Sequence, residues 1–197
     1  HDMPQNQLNA ALDGVVENCV NAVGVDLNTA SAPLLTRVAG LNASVAKNIV
    51  TYREENGEFT SRAQLKKVPK LGPKAFEQCA GFLRIPGAKN PLDNTGVHPE
   101  SYDAAKLLLE QFGYSLEDVK NKNITDLEVK LSATAAEKIA EKIGVGVPTL
   151  IDIAKDLAHP KSIYTLGCLY EFGIGTVCDK EMAFALYEKA YSLLFRD

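Results

Sequence analysis

The chain has 197 residues, 46% of them hydrophobic and 23% charged, with a net charge of −4. That composition fits a globular protein with a real core and excludes a disordered or fibrous chain. No apolar run reaches the roughly 20 residues of a membrane helix, and no signal-peptide pattern opens the sequence, so a cytoplasmic protein without a membrane partner is expected.

In chain order, His1-Asp2-Met3 reads as vector-derived, and residues 1–7 as a lead-in. Residues 8–23 place Leu8, Leu12, Val15, Val16, Cys19 and Val20 at helical spacing, and Gly24 ends the run. A second helix with the apolar face of SAPLLTRV follows, capped by Asn28 or Thr29. These lead-in helices occupy residues 8–32. Residues 33–86 form the segment richest in signal. From Pro33 to Ile85, nine basic residues (Arg37, Lys47, Arg53, Arg62, Lys66, Lys67, Lys70, Lys74 and Arg84) face four acids, for a local charge of +5. The remainder of the chain carries −9, so an anionic partner is expected for this island alone.

Within the island, two stretches repeat one plan. VAGLNASVAKNIVTYREENG carries Gly40, Leu41 and Asn42, and VPKLGPKAFEQCAGFLRI carries Lys70, Leu71 and Gly72. In each, a tight hairpin separates two helices, and the central leucine anchors between them. Flanking residues at positive φ would aim backbone N–H groups outward at a helix start, where a phosphate oxygen can bind. Ser44, Lys47 and Lys74 lie on the first turns after the hairpins. The expected binding set is therefore Gly40, Leu41, Asn42, Ser44, Lys47, Lys70, Leu71, Gly72 and Lys74. Such contacts hold the sugar–phosphate backbone of DNA or RNA and read no bases. Asn42 tolerates left-handed backbone, so hairpin one should be little altered. Lys70 does not take positive φ so cheaply, and hairpin two is expected to have a different backbone and to rely on its lysines.

Residues 87–101, GAKNPLDNTGVHPES, read as a connector. Helical stripes resume over 102–159 in YDAAKLLLEQFG, SLEDVKNKN, ATAAEKIAEKIG and PTLIDIAKDLA, which would pack as a bundle. Ser115, with Glu117 and Asp118 after it, suits a helix start. Gly144-Val145-Gly146 is read as a helix-to-helix turn rather than a phosphate loop. Residues 160–197 carry Tyr164, Leu166, Gly167, Leu169, Tyr170, Gly173, Gly175, Ala183, Tyr187, Lys189 and Ala190 in the pattern of one Sel-type repeat. A lone repeat needs a neighbour to cover it, so a protein partner or self-association is expected there. The fold class is all-α: a tandem helix-hairpin-helix domain, a small helical bundle and a C-terminal antiparallel helix pair.

No catalytic site, metal site or cofactor is expected. His98 and His159 stand alone beside prolines, and no nucleophile, metal-spaced or phosphate-loop pattern occurs. Asp118, Asp126 and Asp152 are read as exposed or capping helix acids. Cys19 and Cys79 are expected as buried thiols, and Cys168 and Cys178 as reduced. The rival to nucleic-acid binding is a protein-docking scaffold in which the hairpins are structural.

The two hairpins with their flanks, together with VVENCVNAVGVDLNTAS, NPLDNTGVHPE and GVPTLIDI, resemble the Tex family of bacterial transcription accessory proteins over about residues 8–158. The resemblance implies DNA or RNA binding. It also implies a ribonuclease-H-like domain before this region and an RNA-binding barrel after it, neither of which is seen in this sequence. The resemblance stops near Pro160, where the Sel-type pattern reads as an engineered fusion or a natural rearrangement.

Overall fold

A computed structural model describes residues 4–124, 127–133, 136–157 and 181. The Sel-type pattern apart from residue 181, and with it Cys168 and Cys178, lies outside the described residues, as do Asp126, His159 and the side chain of Cys19. The chain divides into two units. The first contains residues 1–58 and 65–83, and the second residues 59–64 and 84–160.

In the first unit, helix α1 (Gln5–Val23) ends where Gly24 turns the backbone at φ 75° and donates its N–H to the Val20 carbonyl. The short strand β1 (Val25–Asp26) pairs with β2 (Leu83–Arg84), whose Leu83 closes this unit; the apolar periodicity does not foretell this two-residue ribbon. Helix α2 (Ala32–Leu35) is capped by Ser31, whose Oγ accepts from the Leu34 N–H, and not by Asn28 or Thr29. The Asn28 N–H instead donates to Asp26 Oδ1, so that stretch is a turn of its own. Helix α3 (Ala43–Asn56) stops at Gly57, at φ 84°. A 3-10 turn over Arg62–Lys67, of which residues 65–67 belong to this unit, precedes α4 (Pro73–Cys79), which tightens into a 3-10 turn at Ala80–Phe82. Leu35, Ala46, Ile49, Leu65, Cys79 and Leu83 are fully buried here. Burying one such aliphatic side chain is worth about 1.5–3 kcal/mol.

The second unit is built on α5 (Tyr102–Gln111), α6 (Leu116–Lys120), α7 (Leu127–Ala133), α8 (Ala136–Ile143) and α9 (Val147–Leu157). Leu108, Leu109, Leu127, Leu131, Leu150 and Ile153 form its core. Helix α7 is too short and too polar in its flanks to announce itself by periodicity. Ser115 and Asp118 close a capping box: the Ser115 N–H donates to Asp118 Oδ2 and the Asp118 N–H donates to Ser115 Oγ.

The stretch 87–101 is more than a connector, because 3-10 turns at Pro91–Asn94 and Pro99–Ser101 bury Leu92, Asp93 and Val97. They surround Arg62, which is only 1% exposed. Its guanidinium donates to the carbonyls of Leu92, Thr95 and Val97 and to the Tyr102 hydroxyl. Tyr102 in turn donates to Asp93 Oδ1 at 2.5 Å, and the Arg62 N–H to Asp93 Oδ2 at 3.2 Å. A buried cation is tolerable only when paired and hydrogen-bonded in this way. Burial holds the Tyr102 hydroxyl far above the ordinary tyrosine range, opposed by the Arg62 charge and helped by Asp93.

A candidate nucleic-acid interface

The two hairpins share one backbone, related by an offset of 30 residues. In hairpin one Gly40 adopts φ 82° and in hairpin two Lys70 adopts φ 65°. The Leu41 N–H donates to the Val38 carbonyl at 3.1 Å, and the Leu71 N–H to the Val68 carbonyl at 3.2 Å. Leu41 and Leu71 are both buried, as their role as anchors requires. Asn42 and Gly72 follow in extended conformation as the N-caps of α3 and α4. Two expectations are corrected here. Lys70 does enter the left-handed region, so hairpin two keeps the backbone of hairpin one. Asn42, at φ −116°, does not need that region; it is there because its Oδ1 accepts from the Val45 N–H at 2.9 Å.

The paired hairpins hold each other reciprocally. A methyl group placed on Gly40 would lie 2.6 Å from Gln78 Cβ and 3.2 Å from the Ala75 carbonyl oxygen, so hairpin one presses directly on α4. Hairpin two meets α3 at the corresponding places: Asn48 Nδ2 donates to the Pro69 carbonyl at 2.8 Å, and Lys70 Nζ to Ser44 Oγ at 3.3 Å. Asn48 and Gln78 occupy equivalent positions, as do Ser44 and Lys74. This swap of contacts is an approximate two-fold relation. Hairpin one is also tied to α1, since the Ala39 N–H donates to Asn21 Oδ1 at 3.0 Å.

The basic island sorts by residue type. All four arginines serve the fold. Arg37 pairs with Asp13 at 2.8 Å and lies 3.8 Å from Glu17; Arg53 donates to the Leu27 carbonyl; Arg62 is sealed in the network above. Arg84 is largely buried, and burial first, then the Arg62 charge, lowers it to about 10 against the pull of Asp156. All five lysines (Lys47, Lys66, Lys67, Lys70 and Lys74) are exposed, and all lie in the first unit. Lys66 lies over the Phe76 ring, 4.9 Å from its centre. Lys47, Lys67 and Lys74 take part in none of the ion pairs among the described residues. Lys47 and Lys74 stand early in their helices, where the positive end of the helix dipole disfavours a cation.

Of the nine expected site residues, Leu41 and Leu71 are buried and the other seven are exposed; contacts join Ser44 with Lys70 and bring Gly40 against α4, while Lys47 and Lys74 stand on α3 and α4. The missed contributors are Asn48 and Asn21, whose roles depend on long-range contacts that no local motif carries. A positive-φ residue shortly before a helix start recurs in the second unit. Gly113 (φ 74°) and Tyr114 precede the Ser115 cap of α6, and Gly144 (φ 87°), Val145 and Gly146 precede α9. Their hydrogen bonds differ from those of the hairpins, since the Tyr114 N–H donates to the Leu109 carbonyl and the Val145 N–H to the Ala140 carbonyl, so Gly144-Val145-Gly146 is a helix-to-helix turn of another kind. Residues 38–79 are thus distinguished by the three-residue hydrogen-bonded turns, the lysines and the reciprocal pairing, not by positive φ alone.

A helix-hairpin-helix motif model matches residues 20–84, and a model described as an HHH domain matches residues 90–162. Transcriptional accessory protein Tex of Neisseria gonorrhoeae is 50% identical over 81% of this chain and 20% of its own length. Protein YhgF of Escherichia coli K12 is 54% identical over the same shares. The chain belongs to the Tex family. The human S1 RNA-binding domain-containing protein 1 is 37% identical over 90% of this chain and 24% of its own length. This Tex-family chain spans about a fifth of the length of the bacterial relatives it matches. Among its described residues no helix is long and apolar enough to cross a membrane, and no cluster of three or more His, Cys, Asp or Glu could hold a metal ion.

Proposed function

We propose that this chain binds nucleic acid through the sugar–phosphate backbone, using the two hairpins at residues 38–44 and 68–74, as part of a transcription accessory protein. The carrying observation is the sorting of the basic island: the arginines are buried or bonded within the fold, while every lysine is exposed around the paired hairpins. Lysine ammonium groups act as point charges for phosphate and carry no base-reading fork, which suits sequence-independent contact. Outward N–H groups at the starts of α3 and α4 add directional donors. Asn42 takes up the Val45 N–H, leaving those of Ala43 and Ser44, whereas Gly72 has no side chain with which to cap α4. The near two-fold relation of the hairpins matches the two antiparallel strands of a duplex. The names of the relatives, a transcriptional accessory protein and an S1 RNA-binding domain-containing protein, support the same reading. It includes no bond-making step.

Fluorescence anisotropy with labelled duplex DNA, single-stranded DNA and RNA tests the proposal, with Lys47→Glu/Lys74→Glu as the control. Binding that weakens with salt and is lost in the double variant supports the hairpin site. Binding indifferent to the variant would leave the hairpins as scaffold and favour a protein-docking role.

A further inference from the structure

We infer that Asn48 is the positioning residue that sets the interval between the two phosphate-holding turns. The inference rests on the reading above and deepens it. Asn48 lies on α3 one turn beyond Ser44, so the two side chains share a face of that helix. From that face they touch hairpin two at successive residues. Asn48 Nδ2 donates to the Pro69 carbonyl, and Ser44 Oγ accepts from Lys70 Nζ. The first contact fixes backbone; the second is a long exposed side chain that is free to leave for a phosphate. Asn48 is therefore the polar contact that can hold hairpin two against α3 while Lys70 engages a ligand.

The opposite side of the pair explains why a hydrogen bond is needed here. Hairpin one approaches α4 closely because Gly40 has no Cβ, and Gln78 fills the space directly. Lys70 occupies the equivalent place with a full side chain, so hairpin two cannot press on α3 in the same manner. The amide of Asn48 spans the gap instead. Alanine at this position would leave hairpin two bonded to its own helix but loose against hairpin one. The interval between the two turns is what a duplex measures, because its strands lie at a fixed separation. A single strand bends to whatever spacing it meets, so only duplex binding should depend on Asn48.

The experiment compares wild-type chain and Asn48→Ala by anisotropy on a labelled duplex and a labelled single strand, across a salt series, with a thermal melt of each protein. The expected result is a five- to tenfold loss of duplex affinity, and a duplex salt slope shallower by up to about 2 as Lys70 and Lys74 disengage. Single-strand affinity should be unchanged. Adding Lys74→Gln to Asn48→Ala should then weaken duplex binding less than Lys74→Gln does alone. If Asn48→Ala does not fold, Asn48→Leu keeps the volume without a charge, removes the donor and serves in its place. Wild-type duplex affinity and slope in the folded variant, or an equal loss on both ligands, would overturn the inference. Absence of salt-dependent binding by the wild-type chain would instead remove the hairpin reading itself.

Discussion

Replacing Lys70 by glycine should make the protein more stable and a poorer ligand-binder at once. Lys70 holds φ 65°, a conformation that costs an L-residue with a Cβ about 1–2 kcal/mol. Glycine removes that cost but loses about 0.5–1 kcal/mol through its freer unfolded chain. The Lys70 Nζ to Ser44 Oγ hydrogen bond, being exposed, offsets only a few tenths more. The net gain is about 0.5 kcal/mol, or roughly 1–2 °C in Tm for a chain of this size. Binding should move the other way, with the salt slope shallower by about 0.9 for one lost phosphate contact. Lys70→Ala separates the causes, since it keeps the strained Cβ and removes the charge: it should lose the same binding without gaining stability. Urea unfolding and duplex titration on the three proteins make the comparison. A Lys70→Gly variant that is less stable, or that binds like wild type, would refute the idea that backbone strain is retained here for the sake of the charge.

The other expectations concern the frame around the site. Gly40→Ala combines a forbidden φ with a methyl 2.6 Å from Gln78 Cβ, and urea unfolding should show a loss of about 2–4 kcal/mol. Arg62→Met leaves the buried carbonyls of Leu92, Thr95 and Val97 without the guanidinium donors they face, and urea unfolding should show the second unit destabilised by about 3–5 kcal/mol. Asp118 is held below the usual carboxylate range, chiefly by the Ser115 backbone N–H. Its contribution is therefore complete above an unfolded value of about 3.9 and is lost as pH falls through the lowered folded value. A melt series from pH 6 to pH 2 should show a smaller acid-range fall in Asp118→Asn than in wild type.

Much of this fold is legible because its signals are local. The anchors Leu41 and Leu71, the stop at Gly24 and the capping box at Ser115 each follow from a few adjacent residues. What escapes is decided at a distance. Whether Lys70 tolerates positive φ depends on Val68, Leu71 and α3 together over-determining the turn, not on lysine's own preference. Asn42 admits two explanations, left-handed backbone or helix cap, and only the direction of its side chain separates them. The cap of α2 goes to Ser31 because the helix starts at Ala32, directly after it, while Asn28 belongs to the turn at Asp26. Nine basic residues look alike in a charge count, yet Arg37, Arg53 and Arg62 find carbonyls or carboxylates as far as 35 positions away and the lysines do not. Arg62 is the clearest instance: surface-like by composition, it is the most deeply buried of the large polar side chains described.

The most direct test of the account is the slope of log K against log salt for a labelled duplex. With four or five exposed lysines each neutralising one phosphate, the slope should be about −4, and affinity should fall by roughly two to three powers of ten between 50 and 200 mM salt. A slope near zero would contradict it, because the lysines left in water around the hairpins would then have no phosphate to meet.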